Sequence, residues 1–449
     1  MPEQQHIFGT DGVRGVANAD LTPELAFAVG RAAAVVLAHE VDASRPIVVG
    51  RDTRVSGPML EAALVAGICS AGRDVLLLGV LPTPAVALLT RSSGAAAGAM
   101  ISASHNPIAD NGIKLFGADG FKLSDALEEE IEADVTAANG PRPTGLGVGG
   151  VAAAPELQER YLAHIAAHGA PLAGMVIVVD GAFGAAYRIG PQALTNLGAT
   201  VHAINCEPDG ARINVACGAT NLEPLIAEVR RHPGSVGVAF DGDADRALFV
   251  DEHGHAVNGD QVLAMLAAQM LREGALPGAT VVATVMSNVG LERALDGMGL
   301  RLERTVVGDR YVLERMRAGG HPLGGEQSGH VIDLRRNSTG DGPMTAVSVF
   351  SLMARSGLRL EELAACVKTY PQVLVNVRSG RKELLEHAAV RRRIEEIEGA
   401  LGTEGRVVVR PSGTEPLLRV MVEGPDRGEV MRMAEEIAAA IRAAGDGAL

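Results

Sequence analysis

Aromatic residues are scarce in this chain of 449 residues, which has 8 phenylalanines, 4 tyrosines and no tryptophan. The core must therefore be built mainly from alanine, valine, leucine and isoleucine. The scarcity also removes the stacking surfaces on which proteins bind single-stranded nucleic acid. Basic residues are too few to compensate, since 40 lysines and arginines stand against 54 acidic residues and the net charge is −14. The composition argues against a nucleic-acid partner, whereas a small phosphorylated substrate needs only a locally basic site.

Paired cysteines and long apolar runs are lacking as well. The four cysteines lie far apart and form no CxxC pair, which predicts reduced and mostly buried thiols. No apolar run approaches the roughly 18 residues that a membrane span needs. The N-terminal sequence MPEQQHIFGTDG has neither the basic start nor the apolar stretch of a secretory signal. We therefore expect a cytoplasmic protein with no membrane partner.

Short β-branched runs alternate with longer amphipathic stretches along most of the chain. Buried strands are predicted at 45–50, 73–79, 175–181, 236–240 and 279–287, with helices between or after them. Strands that alternate with helices indicate α/β units with largely parallel sheets. The pattern recurs three times, which predicts three related α/β domains with mixed, largely parallel sheets.

The length of the chain requires several domains, because single cores stop growing at about 250–300 residues. A stretch rich in proline and glycine at 139–150 predicts one linker, and the turn at 251–260 predicts a second boundary. The last part of the chain combines strands with charged helices, which predicts a smaller α+β domain. We predict domains at 1–150, 151–253, 254–369 and 370–449.

Four loops carry candidate catalytic or binding residues, and the first is ISASHNPIADNGIKLF at 101–116. The hydroxyl of Ser104 is a candidate phosphoryl acceptor. The polar side chains of His105 and Asn106 and the cation of Lys114 would screen the transferred charge. The alternative is an ordinary turn, because serine and the Asn-Pro pair both favour turns.

The second loop is DGDADR at 241–246, between two predicted strands. Alternate residues of an extended loop point the same way, so the carboxylates of Asp241, Asp243 and Asp245 can converge on one cation. Three carboxylates together with a phosphate oxygen suit Mg²⁺, which prefers oxygen ligands. Without a cation, mutual repulsion would penalise such a cluster. The loop therefore predicts a magnesium site.

Two other functions are considered for this second loop. An EF-hand would use the same three aspartates with Glu252 at its twelfth position. However, Arg246 stands where that loop requires glycine, and strands replace the flanking helices. A phosphatase with Asp241 as its nucleophile would leave the Ser104 loop without a role.

The remaining two loops are rich in glycine and in polar side chains. GGEQSGHVID at 324–333 presents Glu326, Ser328 and His330, and a carboxylate is a natural acceptor for vicinal sugar hydroxyls. RPSGTEPLLR at 410–419 presents a dense set of donors suited to an oxyanion: Arg410, Ser412, Gly413, Thr414 and Arg419. Taken alone, the first loop is equally typical of a glycine turn with a surface glutamate. The alternative for the second loop, which its pattern favours less, is a basic turn at the end of a strand.

Each of the four loops falls in a different predicted domain. A nucleophile, a cation site, a reader of hydroxyl groups and a phosphate clamp would then surround one central cleft, since active sites favour domain interfaces. In this combination and order the loops resemble those of the α-D-phosphohexomutase superfamily, and the resemblance covers essentially the whole chain. It implies a heart-shaped arrangement of three related α/β domains and a smaller C-terminal one around that cleft.

The resemblance also implies roles for individual residues. Ser104 would be the phosphoserine, and its phosphate would hold Mg²⁺ together with the three aspartates of the second loop. Glu326 and Ser328 would bind sugar hydroxyls, and residues 410–414 with Arg419 would bind the phosphate that is not reacting. The remaining residues expected to be catalytic are His105, Lys114, Arg246 and His330. The remaining residues expected to bind the substrate are Arg14 and Asn106. Lys114 and His330 are both candidates for the general acid or base.

Within the superfamily the chain resembles the branch that acts on glucosamine phosphates. The resemblance rests on the segments FGTDGVRG (8–15), INVACGATN (213–221), VMSNVGLE (285–292), VGDRYV (307–312) and RPSGTEP (410–416). It implies interconversion of glucosamine 6-phosphate and glucosamine 1-phosphate through glucosamine 1,6-bisphosphate, which feeds amino-sugar nucleotide and cell-wall synthesis. The alternatives are a phosphoglucomutase/phosphomannomutase of the same superfamily and a non-catalytic phosphosugar-binding protein. As partners beyond the phosphosugar we consider a homodimer and a kinase that phosphorylates Ser104.

Overall fold

The computed structural model describes residues 6–9, 11–37, 42, 44–137, 140–412 and 417–446. Its described strands form four sheets, of seven, five, four and three strands, and each sheet is completed before the next begins along the chain. The first three sheets mix parallel and antiparallel pairs and are accompanied by helices, as the alternating pattern predicts. Three α/β units and a smaller C-terminal unit are therefore confirmed.

The first sheet has the strand order β1-β2-β6-β5-β3-β4-β7. Its strands are β1 (Phe8–Gly9), β2 (Gly12–Val16), β3 (Ile47–Arg51), β4 (Val75–Val80), β5 (Ala97–Ile101), β6 (Asp110–Gly117) and β7 (Val151–Ala153). Its helices are α1 (Pro23–Val36), α2 (Gly57–Ser70), α3 (Thr83–Ser93) and α4 (Asp125–Ala137). Strand β7 lies beyond the predicted boundary at 150 and pairs with β4 in parallel, so this sheet ends at Ala153.

The second sheet has the order β12-β11-β10-β8-β9. Its strands are β8 (Val176–Asp180), β9 (Thr200–Ile204), β10 (Val236–Phe240), β11 (Ala247–Val250) and β12 (Ala256–Val257). Its helices are α5 (Glu156–His168), α6 (Ile189–Asn196) and α7 (Glu223–Arg231). Strands β10 and β11 are antiparallel, and the turn between them carries the three aspartates.

The third sheet has the order β14-β13-β15-β16. Its strands are β13 (Thr280–Thr284), β14 (Arg301–Thr305), β15 (Leu323–Gly325) and β16 (Val331–Asp333). Its helices are α8 (Gly259–Arg272), α9 (Val289–Gly297), α10 (Asp309–Gly319), α11 (Gly342–Ser356) and α12 (Leu360–Ala364). The antiparallel hairpin of β15 and β16 presents the loop with Glu326 and Ser328.

The C-terminal unit has three antiparallel strands in the order β17-β19-β18. They are β17 (Gln372–Arg378), β18 (Arg406–Pro411) and β19 (Leu417–Glu423), accompanied by α13 (Ala388–Leu401) and α14 (Arg427–Asp446). This unit has its own core, which includes Val377, Leu418 and Ile437. One hydrophobic core, by contrast, runs through the first three units.

A buried carboxylate joins the C-terminal unit to the third unit. Glu423 has no exposed surface, and its Oε1 accepts hydrogen bonds from Arg406 Nε at 2.7 Å and from the backbone N–H of Val289 at 3.0 Å. Val289 is the first residue of α9, whose N-terminal partial positive charge favours an anion. This polar anchor, with the hydrogen bonds of Arg293 to Thr403 and of Arg406 to Ser287, attaches the C-terminal unit, which has its own core, to the third unit.

The structure bears on two further predictions from composition. All four cysteines are free thiols, and none forms a disulfide. Among the described helices, none combines the length and the apolar surface needed to cross a membrane.

Candidate active site

Ser104 lies in the loop between β5 and β6, and its side chain is buried. Its hydroxyl donates a hydrogen bond to Asp241 Oδ2 at 2.7 Å, which joins the first unit to the second. The Nδ1 atom of the exposed neighbour His105 is 3.3 Å from the same hydroxyl. The fold thus brings together the predicted nucleophile and the first predicted metal ligand, which are far apart in sequence.

Gly242 explains how the two loops approach so closely. A Cβ atom at this position would lie 2.5 Å from the carbonyl oxygen of Ser104, a separation that real side chains essentially never show. Any other residue between Asp241 and Asp243 would push the serine loop away from the aspartates. The glycine of the DGDADR motif is therefore a condition for the contact.

The three aspartates form one buried cluster. Ligand oxygens of Asp241, Asp243 and Asp245 lie within 4.8 Å of one another. Burial, with repulsion from the other two carboxylates, raises the pKa of Asp241 to about 7. Within the described residues, Oδ1 of Asp243 and Oδ1 of Asp245 are buried without a hydrogen-bond partner. Clustered carboxylates with unpaired oxygens fit a hard divalent cation, which prefers oxygen ligands.

Lys114 on β6 approaches the same cluster from the first unit. Its Nζ lies 3.0 Å from Asp243 Oδ2 and 3.7 Å from Asp245 Oδ2, and the side chain is 2% exposed. Burial alone would lower the pKa of Lys114, but the carboxylates of Asp11 and Asp243 outweigh it and raise that pKa. Lys114 therefore stands beside the cluster as a buried cation.

His330 approaches from the third unit. Its Nδ1 lies 3.5 Å from Asp245 Oδ2, and its Nε2 lies 3.7 Å from Asp309 Oδ2. Burial disfavours the charged ring, but the carboxylates of Asp245, Asp309 and Glu326 together outweigh it, and the pKa of His330 is raised to about 9. Asp309, in the VGDRYV segment, also contacts Lys122 Nζ at 2.7 Å and so links the first unit to the third.

Residues of the loops at 324–333 and 410–419 line a cavity of about 360 Å³. Glu326 accepts a hydrogen bond from the backbone N–H of Gly308 at 3.2 Å, and Ser328 Oγ lies 3.5 Å from the other carboxylate oxygen. The cavity is lined by residues from the second, third and C-terminal units, namely Arg246, Thr284, Met286, Val307, Glu326, Gln327, Ser328, Leu374, Arg410 and Arg419. Three of the four predicted loops therefore line one cavity, whereas the Ser104 loop of the first unit is not part of its described lining.

Two arginines of the C-terminal unit sit directly opposite each other on neighbouring strands. Arg410 on β18 pairs in register with Arg419 on β19. Like charges at directly opposed positions destabilise a sheet, so an anion between or above them would be favourable. Burial and the nearby Arg419 lower the pKa of Arg410, and within the described residues Arg410 Nε and Ser412 Oγ are buried without a partner. Gly413 and Thr414 lie outside the described residues.

Two expected substrate ligands have other partners in this structure. The amide of Asn106 donates to Asp110 Oδ2 at 3.0 Å and thereby braces its own loop. Arg14 on β2 forms an ion pair with Asp11. Neither residue is among those that line the 360 Å³ cavity.

Sequence reasoning missed a set of residues that surround Ser104 without being nucleophiles or ligands. They are Asp52, Arg54, Ser102 and Asn214, which all contact the serine loop or each other. A usable sign was present in the run RDTR at 51–54, where charged residues stand at the end of the buried strand β3 and directly after it. Charged residues at the carboxyl end of a parallel strand often belong to a site.

Four family models match the chain in sequence order. They are the phosphoglucomutase/phosphomannomutase alpha/beta/alpha domain I over residues 5–141, domain II over 159–254, domain III over 258–370 and the C-terminal domain over 374–440. A curated relative, the phosphoglucosamine mutase of Moorella thermoacetica, is 56% identical over 94% of this chain and 96% of its own length.

Solved structures show the same fold. A phosphoglucomutase/phosphomannomutase family protein from Burkholderia thailandensis superposes with a TM-score of 0.85 at 24% identity and covers 99% of this chain and 98% of its own. The Aspergillus fumigatus N-acetylphosphoglucosamine mutase, in complex with GlcNAc-6P and magnesium, gives a TM-score of 0.69 at 19% identity over 99% of this chain and 97% of its own.

Proposed function

Because the chain belongs to the phosphoglucosamine mutase family of isomerases, we propose that it interconverts glucosamine 6-phosphate and glucosamine 1-phosphate through a phosphoserine at Ser104. The observation that supports this route most is the 2.7 Å hydrogen bond from Ser104 Oγ to Asp241. It sets a hydroxyl nucleophile beside a cluster of carboxylates suited to a cation. Such a pair is what phosphoryl transfer needs, since positioning and charge neutralisation supply most of its catalysis.

The transfer proceeds in two balanced steps. The O1 hydroxyl of glucosamine 6-phosphate attacks the phosphorus of phosphoserine 104, so the bond to Oγ breaks while the bond to O1 forms and the O1 proton passes to the protein. The resulting glucosamine 1,6-bisphosphate turns over within the cleft. Ser104 Oγ then attacks the phosphorus on O6, and the O6 oxygen takes up a proton. Lys114 and His330, both next to the aspartates, are the candidates for these proton transfers.

We assign the cation to the three aspartates and to the phosphate on Ser104. Magnesium is present with a sugar phosphate in the related Aspergillus fumigatus enzyme, and the donor set here consists of oxygen atoms, as Mg²⁺ prefers. When bound, the ion would neutralise charge on the transferring phosphoryl oxygens. The cations of Lys114 and Arg246 add to that neutralisation from two different units.

The walls of the cavity hold the rest of the substrate. Glu326 and Ser328 bind sugar hydroxyls, and Arg410, Ser412 and Arg419 bind the phosphate that is not reacting, together with Gly413 and Thr414 of the same loop. A carboxylate can accept hydrogen bonds from two vicinal hydroxyls, and an arginine pair suits a dianionic phosphate. Turnover without release requires that this clamp accept either end of the sugar, which favours a mobile C-terminal unit hinged near residue 370.

Mass spectrometry of the intact protein tests the covalent route. Incubation with glucosamine 1,6-bisphosphate should add one phosphate, about 80 Da, that maps to Ser104, and glucosamine 6-phosphate should then remove it. The Ser104→Ala variant should take up no phosphate and lose at least about a hundredfold in mutase rate, with an unchanged melting temperature. Retention of more than about a hundredth of the wild-type rate would rule out the phosphoserine. Faster turnover of glucose or mannose phosphates than of glucosamine phosphates would instead change the assigned substrate.

A further inference from the structure

We propose that Arg54, with Asp52 and Ser102, is the positioning device that holds the phosphoserine loop in its reactive conformation. These three residues are called the serine-loop clamp below. Arg54 and Ser102 bind backbone groups of the loop, and Asp52 links these two side chains to each other. None of the three lines the cavity that would hold the sugar. The inference rests on the proposed transfer through Ser104 and deepens it by naming what aims the nucleophile.

The conformation of Ser104 calls for such a device. Its φ of 51° places it in the left-handed region, which residues other than glycine seldom adopt. A strained backbone of this kind persists only where the surrounding structure over-determines it, and it is enriched at active sites. The strain also sets the direction of the side chain, because rotating the peptide would swing Oγ away from Asp241.

Arg54 supplies the largest part of the restraint. Its Nη2 donates to the carbonyl oxygens of Ser104 and Asn106, both at 2.9 Å. Its Nη1 donates to the carbonyl oxygens of Pro107 at 2.6 Å and Asp110 at 3.0 Å. One guanidinium thus donates hydrogen bonds to four backbone carbonyl groups of the segment that carries the nucleophile.

The remaining donor of the same guanidinium is also occupied. Arg54 Nε donates to Asp52 Oδ2 at 3.0 Å, and the Arg54 side chain has no exposed surface. A guanidinium has five N–H donors, and all five are accounted for by these contacts. Arg54 therefore has no donor left for a substrate phosphate, which separates its role from that of a binding arginine.

Asp52 and Ser102 hold the peptide of Ser104 from the other side. Ser102 Oγ donates to Asp52 Oδ2 at 2.6 Å and accepts a hydrogen bond from the backbone N–H of Ser104 at 2.9 Å. The clamp therefore grips both the N–H and the C=O of Ser104. Asn214 of the second unit adds a further hydrogen bond to that carbonyl, at 2.8 Å.

This restraint matters because the charge on the loop changes during the reaction. A phosphorylated serine carries a charge of about −1.5 to −2 next to three aspartates, and a free serine carries none. A loop held only by its own turn contacts would shift between these states. Displacement of a reacting group by about 1 Å can cost about a hundredfold in rate, so a rigid loop preserves transfer in both directions.

The test uses two clamp variants and a matched control. Arg54→Lys keeps the charge but offers three donors for five acceptors, and Ser102→Ala removes the link between Asp52 and the Ser104 amide. The control is Arg73→Lys, since Arg73 is another buried arginine of the first unit, located before β4, that donates to the carbonyl oxygen of Asp42 at 2.8 Å. Phosphorylation of Ser104 by glucosamine 1,6-bisphosphate is followed in single turnovers by mass spectrometry, alongside steady-state kinetics and circular dichroism.

We expect both clamp variants to slow phosphorylation of Ser104 and kcat by about ten- to a hundredfold, with KM for glucosamine 6-phosphate within about twofold of wild type. The control should transfer at the wild-type rate even if its melting temperature falls. A general loss of stability would not produce this split between kcat and KM.

Wild-type transfer rates in a folded Ser102→Ala protein would overturn the clamp, and so would a rise in KM with unchanged kcat. If Arg54→Lys does not fold, the Ser102→Ala result decides alone. Failure of the wild-type protein to acquire phosphate on Ser104 would instead overturn the proposed function, so the two failures remain distinct.

Discussion

The carboxyl group of Asp241 is subject to two opposing demands. Burial and the neighbouring carboxylates of Asp245 and Asp243 raise its pKa to about 7, so in the absence of a cation its charged form is costly. Asp241 accepts the hydrogen bond from Ser104 through Oδ2. Binding of a divalent ion by this side chain nevertheless favours its charged, deprotonated form. Function and stability therefore oppose each other at this residue, and a substitution can separate them.

We predict that Asp241→Asn removes the effect of Mg²⁺ without destabilising the metal-free protein. Asparagine keeps an acceptor oxygen and removes one of three mutually repelling charges, so the metal-free melting temperature should stay level or rise. Wild-type protein should gain about 2.7 kcal/mol of stability at a Mg²⁺ concentration one hundred times Kd, and the variant should gain much less. Thermal denaturation with and without Mg²⁺ measures both effects.

Asp251→Asn is the control for this experiment. Asp251 is also buried in the second unit, but it caps the turn of His253 and His255 and is not part of the aspartate cluster. Its variant should keep the full Mg²⁺ effect. An equal Mg²⁺ effect in Asp241→Asn would refute the assigned ligand.

The antiparallel pair of β18 and β19 shows how an element can prepare a binding site. Register alone sets Arg410 opposite Arg419, and the next residue across on β17 is the neutral Asn376. The sheet thereby places two like charges at directly opposed positions of neighbouring strands. A bound anion would offset the repulsion between them.

We predict that Arg419→Ala weakens binding of glucosamine 6-phosphate and glucosamine 1-phosphate together. The loss should be about 1.5–3 kcal/mol for each, because a charge-assisted contact is removed from a clamp that serves both orientations. Equilibrium binding in the Ser104→Ala background measures this without turnover. The control Arg378→Ala removes an exposed cation of the same sheet and should leave both affinities unchanged. A loss confined to one sugar phosphate would contradict reorientation within the cleft.

The C-terminal unit is set apart from the core that connects the other three units. One hydrophobic core runs through the first three units, and the first unit also has a second core of its own. The C-terminal unit takes no part in the shared core and is joined to the third unit around Glu423. Glu423 Oε2 also accepts from Gln372 Nε2 at 3.1 Å, at the point where the chain enters β17. Motion of the C-terminal unit relative to the others would therefore pivot at this buried carboxylate.

We predict that Glu423→Ala loosens the attachment of the C-terminal unit and leaves the other three units intact. Leaving Arg406 and the Val289 amide without their acceptor should cost about 1–3 kcal/mol. Hydrogen exchange should accelerate at Val289 and around Gln372, with unchanged protection in β3 and β8. The control Glu398→Gln, at an exposed site on α13, should change neither region. Faster exchange throughout the molecule would show that Glu423 supports the whole fold and is no local pivot.

The identity of the chemical groups was determined by the sequence alone. Side-chain type is a local property, so DGDADR already specified three carboxylates, SASHNP two hydroxyls, and RPSGTEP three side-chain donors around a glycine. The order of strands and helices was local as well, because periodicity reports which face of each element is buried. These two kinds of information sufficed for the fold class and for the expectation of a shared cleft.

The tertiary structure decided which groups meet and what holds them. Arg54 acts on backbone carbonyls, which every residue possesses, so no residue pattern at 104–110 reveals it. Pairing of β7 with β4 moved the end of the first sheet to Ala153, because a three-residue edge strand leaves too short a pattern to recognise. Likewise, the approach of Ser104 to Asp241 depends on two loops from different sheets, and their distance is fixed by packing and not by spacing along the chain.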